Sequence, residues 1–486
     1  MELISRLHKL EEEFDLSELI TNDRWIYPII KQHIIFPSIL IKNQAYNKQE
    51  ESKGTLFWLK ALPEYLKWSY RNSYKGKPDI LLFDSAISRR KRKDGNYFSL
   101  YSDFLFDVFG CDSVLMFEYP LTSSPFHRLP ILTKNIFYPD LNILKVLLKA
   151  KLKKIHLERG HTILKEIFNQ LGINYSISSV DGFLSKYFWS RKFYYDFLKK
   201  NNPQLVFLIS SYHYQKMALA DACKMLNIPS IELQHGHISQ NHAGYIYKQV
   251  PSRCLFPDYF FSFGDYFTDL INVNSRMFSP DRVKSVGFYH LEETKTSPVH
   301  LDSDFLRLSE EFKLILISSD WTINYILKEF VIKVTDLLPP EYKIIYKTHP
   351  AEKDTSNFYS VFRDNKKIYF IDNPTVNILE LMKISQIHST VFSTSLFEAS
   401  FFGLPNIFIR IEGFTNHITD FIDNQSNFLV ETPEEFVSKT KEIIMNHDSV
   451  RNKAVAFSQQ FYKENVTENI INTVRNIKDI SKKSVI

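Results

Sequence analysis

Two α/β halves in series, each a parallel sheet covered by helices, are the architecture expected of this chain. Three observations point there. Short apolar runs that end in polar residues recur from Asp79 onward, as strands buried on both faces do. Helix-like segments alternate with those runs, which is the pattern of repeated βαβ units. The series then restarts after "HLEETKTSPVHLDSDF", residues 290–305, a polar and proline-containing stretch. At 486 residues the chain also exceeds the size at which one hydrophobic core usually keeps growing.

The elements follow in order. Residues 1–75 read as a helical N-terminal extension, closed by the turn-like "NSYKGKP". Residues 76–295 form the first half, with strands in "DILLFDS", "DSVLMFEY", "QLVFLISS" and "IPSIELQ". The helix "YQKMALADACKMLN" connects the last two. Residues 296–486 form the second half, with strands in "FKLILISSDW", "YKIIYKTHP", "KIYFIDN", "QIHSTVFS" and "LPNIFIRI".

Composition narrows the function classes. Hydrophobic content of 44% with 24% charged residues describes a globular protein and excludes a disordered one. A net charge of +5 is too small to argue for nucleic acid. Cys111, Cys223 and Cys254 are odd in number and widely spaced, so they support neither a disulfide framework nor a zinc site, and a reducing cytoplasm is expected. The N-terminus lacks the apolar segment of a signal peptide, and no apolar run reaches the roughly 18 residues of a spanning helix. The 41 Phe and 26 Tyr beside only 13 Gly fit an AT-rich coding sequence before they argue for ligand stacking.

"LNILKVLLKAKLKKI", residues 141–155, sets Leu144, Leu147, Leu148, Leu152 and Ile155 on one helical face beside Lys145, Lys149, Lys153 and Lys154. A solvated surface helix accounts for the pattern. Contact with an anionic membrane is the alternative.

Ligands of open parallel sheets bind beyond the carboxyl ends of the strands, so chemistry is sought there. In the second half, "LILISSDW" ends in Ser318, Ser319 and Asp320, and "IIYKTHP" ends in Lys347, Thr348, His349 and Pro350. Pro350 biases His349 toward an extended backbone. "STVFSTSLFEASFFGLP" places Ser393, Thr394 and Ser395 at the start of a helix that Gly403 and Pro405 stop. A capped helix needs nothing more. The same hydroxyls and free N–H groups also suit a phosphate, Glu398 one turn on suits a ribose diol, and Lys347 and His349 add cationic donors. "IRIEGF" offers Arg410 and Glu412 with less support.

In the first half, "IELQHGHISQNHAGY" runs from a strand into His235, Gly236, His237 and His242. Histidine is the side chain whose unperturbed pKa suits a general base near neutrality, and Gly236 is expected to turn the backbone sharply beside substrate. His235 is the first candidate for the base, with His237 and His242 as alternates for orientation or phosphate contact. Asp84 and Glu118, at other strand ends, are the carboxylates that take the acid–base role if the histidines do not. Metal binding by the histidines lacks a completing carboxylate other than Glu232, and the Asp302–Asp304 "DSD" reads as the N-cap of a helix.

The order of these pieces resembles GT-B glycosyltransferases, with two facing Rossmann-like domains. Lys347-Thr348-His349-Pro350 after a strand, followed by Ser393-Thr394-Ser395, Glu398 and Gly403-Leu404-Pro405, is similar to the donor half of bacterial surface-polysaccharide enzymes. Sialyltransferases with cytidine-activated donors share His-Pro and serine motifs of this kind. Teichoic-acid glycerophosphotransferases carry a His-Gly after a strand, as His235-Gly236 stands here. The resemblance implies a metal-independent transferase with no cofactor, catalytic His235, and donor binding by Ser318, Ser319, Lys347, His349, Ser393, Thr394, Ser395 and Glu398. Its implied partners are a nucleotide-sugar donor and a glycan or lipid-linked acceptor in capsule, O-antigen or lipopolysaccharide synthesis, at the inner face of the plasma membrane. A polyol-phosphate transferase using a CDP-activated donor and a non-catalytic nucleotide-binding subunit of a capsule assembly complex are the alternatives.

Overall fold

The computed structural model describes residues 2–42, 55–70, 77–84, 89–91, 96–119, 135–174, 176–319, 323–349, 352, 360–373, 375–411 and 416–483. Asp320, Pro350 and Glu412, singled out in the sequence, lie outside these residues, as does most of "NSYKGKP". The chain divides into two compact units, residues 1–287 with 465–486, and residues 288–464.

The first unit holds a seven-stranded sheet. Its strands are β1 (Ile80–Asp84), β2 (Val114–Glu118), β3 (Ile136–Phe137), β4 (Leu205–Ile209), β5 (Ser230–Leu233), β6 (Tyr259–Ser262) and β7 (Val283–Ser285). All pairings are parallel, in the spatial order β7-β6-β5-β4-β1-β2-β3. Read from β3, this is the doubly wound order 3-2-1-4-5-6 with one strand added. The switch point therefore falls between β1 and β4. All residues of β1, β2, β4, β5 and β6 are buried, and burial on both faces explains why β1, β2 and β4 read as apolar runs. Strands β3, β6 and β7 were not among those expected from the sequence.

The second unit repeats the plan with β8 (Lys313–Ser318), β9 (Tyr342–Lys347), β10 (Ile368–Ile371), β11 (Ile387–Thr390), β12 (Asn406–Ile409) and β13 (Asn427–Val430). The order is β10-β9-β8-β11-β12-β13, again parallel throughout, with its switch point between β8 and β11. Only β13 was not expected.

Helices that bear on the sites are α1 (Glu2–Glu13), α2 (Asp140–Leu152), α3 (Ile177–Asn201), α4 (Tyr214–Met225), α5 (Ser395–Phe401) and α6 (Val466–Lys483). The last of these returns to the first unit, where Asn469 Nδ2 donates to Val286 O at 3.2 Å, so the second half expected at 296–486 ends in a helix of the first unit. The N-terminal helices are likewise built into the first unit. Lys31 is fully buried, with its ammonium 2.6 Å from Glu11 Oε1 and donating to Ile246 O at 2.6 Å. Gln32 Nε2 donates to Ala243 O at 2.6 Å, and Tyr27 donates to Glu11 Oε1 at 2.9 Å.

The aromatic surplus is largely core. Phe83, Phe117 and Tyr194 pack as one group, with the rings of Phe83 and Phe117 stacked at 4.2 Å. The helix over 141–155 turns a different face inward from the one expected. Ile143, Val146 and Ala150 are buried, while Leu148 is 51% and Leu152 80% exposed beside the exposed Lys145, Lys149, Lys151, Lys153 and Lys154. Among the described residues no helix is long and apolar enough to cross a membrane.

Candidate functional site

Beyond the carboxyl end of the first sheet, the chain leaves β4 through Ser210, a non-glycine residue in the left-handed region (φ 58°). This turn presents Ser211, Tyr212 and the start of α4 beside β5. Glu232, wholly buried on β5, accepts the Ser211 N–H at 2.8 Å and the Tyr245 O–H at 2.6 Å through the same oxygen, Oε1. His235 lies just past the strand, with Nδ1 3.1 Å from the Tyr245 hydroxyl and Nε2 3.1 Å from the Tyr212 hydroxyl.

The expectation of a near-neutral histidine is corrected. Burial, with Lys216 and His242 adding to it, lowers the His235 pKa to about 3, so the ring is neutral at any physiological pH. Burial likewise brings His242 to about 4, and the Gly244 N–H donates to its Nδ1 at 3.2 Å. His237 faces the Phe267 ring edge-on at 5.6 Å. Gly236 does not occupy the left-handed region, and a Cβ there meets nothing within 4 Å, so what it leaves is open space beside His235. Gly244 is the position without room: a Cβ there comes within 2.5 Å of the Tyr212 ring.

Asp84 ends β1 at the switch point, fully buried, and accepts the Ser102 hydroxyl at 3.1 Å. Its register partner Glu118 on β2 pairs with the buried Arg89 guanidinium at 2.9 Å. Lys216, in the first turn of α4, donates to the Ile209 carbonyl. Burial lowers its pKa to about 8, and the fields of Asp84 and Glu232 oppose that shift. Lys216, Glu232, Tyr212 and Tyr245 were not among the sequence candidates. The signal was present only for Glu232, a charged residue between Ile231 and Leu233 of a strand.

In the second unit the switch point gathers the serines around a histidine that the sequence did not single out. His388, fully buried on β11, points Nδ1 at Asn406 Oδ1 (2.7 Å) and Nε2 at Ser318 Oγ (2.8 Å) and Ser395 Oγ (3.2 Å). The Asn406 oxygen can only accept, so Nδ1 carries the proton and Nε2, with one lone pair, accepts from the nearer Ser318 hydroxyl. Burial holds His388 at about 4, with the Asn406 contact opposing the shift. Ser393 Oγ accepts from the Ser395 N–H at 3.3 Å and from its hydroxyl at 3.0 Å. Thr394 takes the N-cap position of α5 but makes no side-chain cap, so Ser393 does the capping expected of the group.

The other donor candidates are committed differently. Ser319 donates to Glu352 Oε1 at 2.5 Å, and the same oxygen takes the His349 N–H at 2.9 Å. Lys347 is buried and donates to Asn373 O at 3.1 Å, with burial lowering its pKa against the fields of Asp372 and Glu352. His349 is exposed. Glu398 is pushed up to about 7 by burial, its Oε2 without a hydrogen-bond partner among the described residues. Arg410 pairs with Glu431 at 3.3 Å. Asp302 occupies the N-cap position of helix Ser303–Glu311, as expected for the "DSD" motif, although without a side-chain cap. Among the described residues no three His, Cys, Asp or Glu side chains come together as a metal-binding group.

No family model and no curated protein matches this chain. Solved structures do. The chain is similar to MnaA of S. aureus in complex with UDP, at TM-score 0.50 and 12% identity, over 83% of this chain and 97% of that one. The fold is of the GT-B type. Similarity extends to the glycotransferase of kitacinnamycin, at TM-score 0.48 and 10% identity over 82% of this chain and 98% of that one. The wall teichoic acid polymerase TagF matches at TM-score 0.47 and 12% identity, over 93% of this chain and 97% of that one.

Proposed function

We propose that this GT-B chain is a metal-independent glycosyltransferase. In this reading it moves a sugar from a nucleotide-activated donor to a growing bacterial surface polysaccharide or lipid-linked glycan. The observation that carries the reading is the second unit's switch point, where Ser318, Ser393 and Ser395 gather around His388 beside the start of α5. Hydroxyls and main-chain N–H groups at that place suit the phosphates of a nucleotide. Glu398 serves the ribose in this reading, and His349 is the exposed imidazole donor.

In the first unit His235 receives the proton of the acceptor hydroxyl. Its neutral ring gives Nε2 a lone pair, held here by the Tyr212 hydroxyl that a substrate hydroxyl would displace, and the open space at Gly236 leaves room for a substrate. His237, His242 and Asp84 line the acceptor side. The basic face of α2, with Leu148 and Leu152 exposed among lysines, supports peripheral contact with an anionic leaflet, where a lipid-linked acceptor resides.

Thermal stabilisation of the purified protein by CMP, CDP, UDP, GDP and ADP tests the reading. A nucleotide at 100 times its Kd stabilises the unit that binds it by about 2.7 kcal/mol. Stabilisation by none of them rejects a nucleotide site. With the preferred donor, His235→Ala is expected to lower kcat by about 10² to 10⁴ with little change in nucleotide affinity. Label followed from the donor phosphorus into product would instead identify a polyol-phosphate transferase. A chain that binds nucleotide yet neither transfers nor hydrolyses any donor is a binding subunit.

A further inference from the structure

The role proposed for His235 leaves the buried Glu232 of the first unit unused. Glu232 is fully buried at the carboxyl end of β5, and its Oε2 has no hydrogen-bond partner among the described residues. Its other oxygen is tied to His235 through a single hydroxyl, that of Tyr245. A phenol has one proton, and Tyr245 gives it to the carboxylate at 2.6 Å, the shorter of its two contacts and the stronger acceptor. The Tyr245 oxygen can then only accept from His235 Nδ1 at 3.1 Å, so Nδ1 carries the imidazole proton. Nε2 is left as the acceptor of the Tyr212 hydroxyl at 3.1 Å.

The four groups thus form one chain of hydrogen bonds with a fixed direction, from Tyr212 through His235 and Tyr245 to Glu232. Its far end is rigid. The Tyr245 carbonyl takes the Ser275 hydroxyl at 2.7 Å, its ring packs against Phe260 at 5.3 Å, and the side chain is 1% exposed. Burial raises the Glu232 pKa, and the hydrogen bonds from Ser211 and Tyr245 and the field of Lys216 on α4 oppose that shift and favour its charged form.

We infer that Tyr245 and Glu232 are positioning residues for His235. They hold it in the Nδ1–H form, aim Nε2 at the acceptor hydroxyl, and set a carboxylate behind the ring as it gains charge. The inference rests on the reading of His235 as the base. In the step itself the acceptor oxygen forms a bond to the anomeric carbon while the bond from that carbon to the nucleotide breaks, and the nucleotide departs with the electron pair. The acceptor proton passes to Nε2, where the acceptor hydroxyl has replaced Tyr212. Nδ1 keeps its own proton throughout, so Glu232 stabilises the imidazolium without being protonated.

The test has a spectroscopic arm and a kinetic arm. In long-range ¹⁵N–¹H spectra of the full chain labelled in histidine, with His235→Gln giving the assignment, wild type is expected to show His235 protonated at Nδ1. Protonation at Nε2 overturns the inference whatever the enzyme does. Tyr245→Phe is expected to abolish that preference. Glu232→Gln is expected to keep it, because the amide oxygen still accepts from Tyr245. Both variants are expected to lower hydrolysis of the CMP-, UDP- or GDP-activated sugar that the wild type consumes by about tenfold or more, with nucleotide affinity unchanged. If both retain wild-type turnover while His235→Ala does not, the inference is overturned and the base assignment stands. If His235→Ala is itself silent, the base assignment falls and takes the inference with it. Should Glu232→Gln fail to fold, Tyr245→Phe decides alone.

Discussion

The ion pair between Lys31 and Glu11 offers a sharp test of how the N-terminal helices support the candidate acceptor site. Both side chains are essentially without solvent contact, at 0% and 1% exposure, and their charged atoms lie 2.6 Å apart. The ammonium also donates to Ile246 O and sits 4.0 Å from the centre of the Tyr247 ring, one and two residues after Tyr245. Lys31→Met removes the cation but leaves the Glu11 carboxylate buried, with only the Tyr27 hydroxyl and the Lys248 N–H, among the described residues, to satisfy it. Breaking a buried pair from one side costs about 3–5 kcal/mol. Adding Glu11→Gln removes the stranded charge while an amide can still accept from Tyr27, so the double variant is expected to recover roughly 2 kcal/mol of that loss. Urea unfolding followed by circular dichroism measures both, and salt is expected to change little because a buried pair is poorly screened. A single-variant loss below about 1 kcal/mol, or a double variant no more stable than Lys31→Met, would refute the argument.

Four further outcomes are expected. Ser395→Ala and His349→Ala each weaken nucleotide binding by roughly 1.5–3 kcal/mol, the value of a hydrogen bond to an ionised phosphate, and unchanged titration curves for both would remove the second unit from the donor role. Acid weakens the fold: burial depresses His33, His213, His235, His242 and His388 below 6.5, so each is neutral when folded while the unfolded chain binds protons. Stability present above pH 6.5 is therefore lost as pH falls toward 4, by about 1.4 kcal/mol per unit for each such histidine, and urea midpoints that stay level from pH 7 to 5 would contradict it. Co-sedimentation with vesicles containing phosphatidylglycerol, but not with pure phosphatidylcholine, is expected for the basic face of α2, and Leu148→Ser with Leu152→Ser should lower it severalfold. EDTA is expected to leave turnover unaltered, and loss of activity restored by Mg²⁺ would reject the metal-independent phosphate site.

Much of the fold was legible because strands buried on both faces are mostly apolar. Nine of the thirteen main-sheet strands stand where such runs were read. The four that were not read share no single cause. Ile136–Phe137, Val283–Ser285 and Asn427–Val430 are edge strands, whereas Tyr259–Ser262 is an inner strand no shorter than several that were read. The serines and histidines at strand ends were legible for a related reason: where a parallel strand stops, polar residues become affordable, and that is where ligands bind.

What the sequence alone determined is therefore the α/β class, the two-part plan and the loops that carry polar chemistry. Hydrophobic periodicity and turn residues are local quantities, and the chain records them directly. Tertiary structure decided which polar residues meet and in what state. His388 became the centre of the serine cluster because β11 lies beside both β8 and β12, a neighbourhood set by sheet order. Tyr245 reached both Glu232 and His235 because the loop after β5 folds back over its own strand. The low pKa of His235 comes from burial, which depends on everything packed around it. Sequence spacing carries no record of those distances, because they arise only when strands distant in the chain are laid side by side.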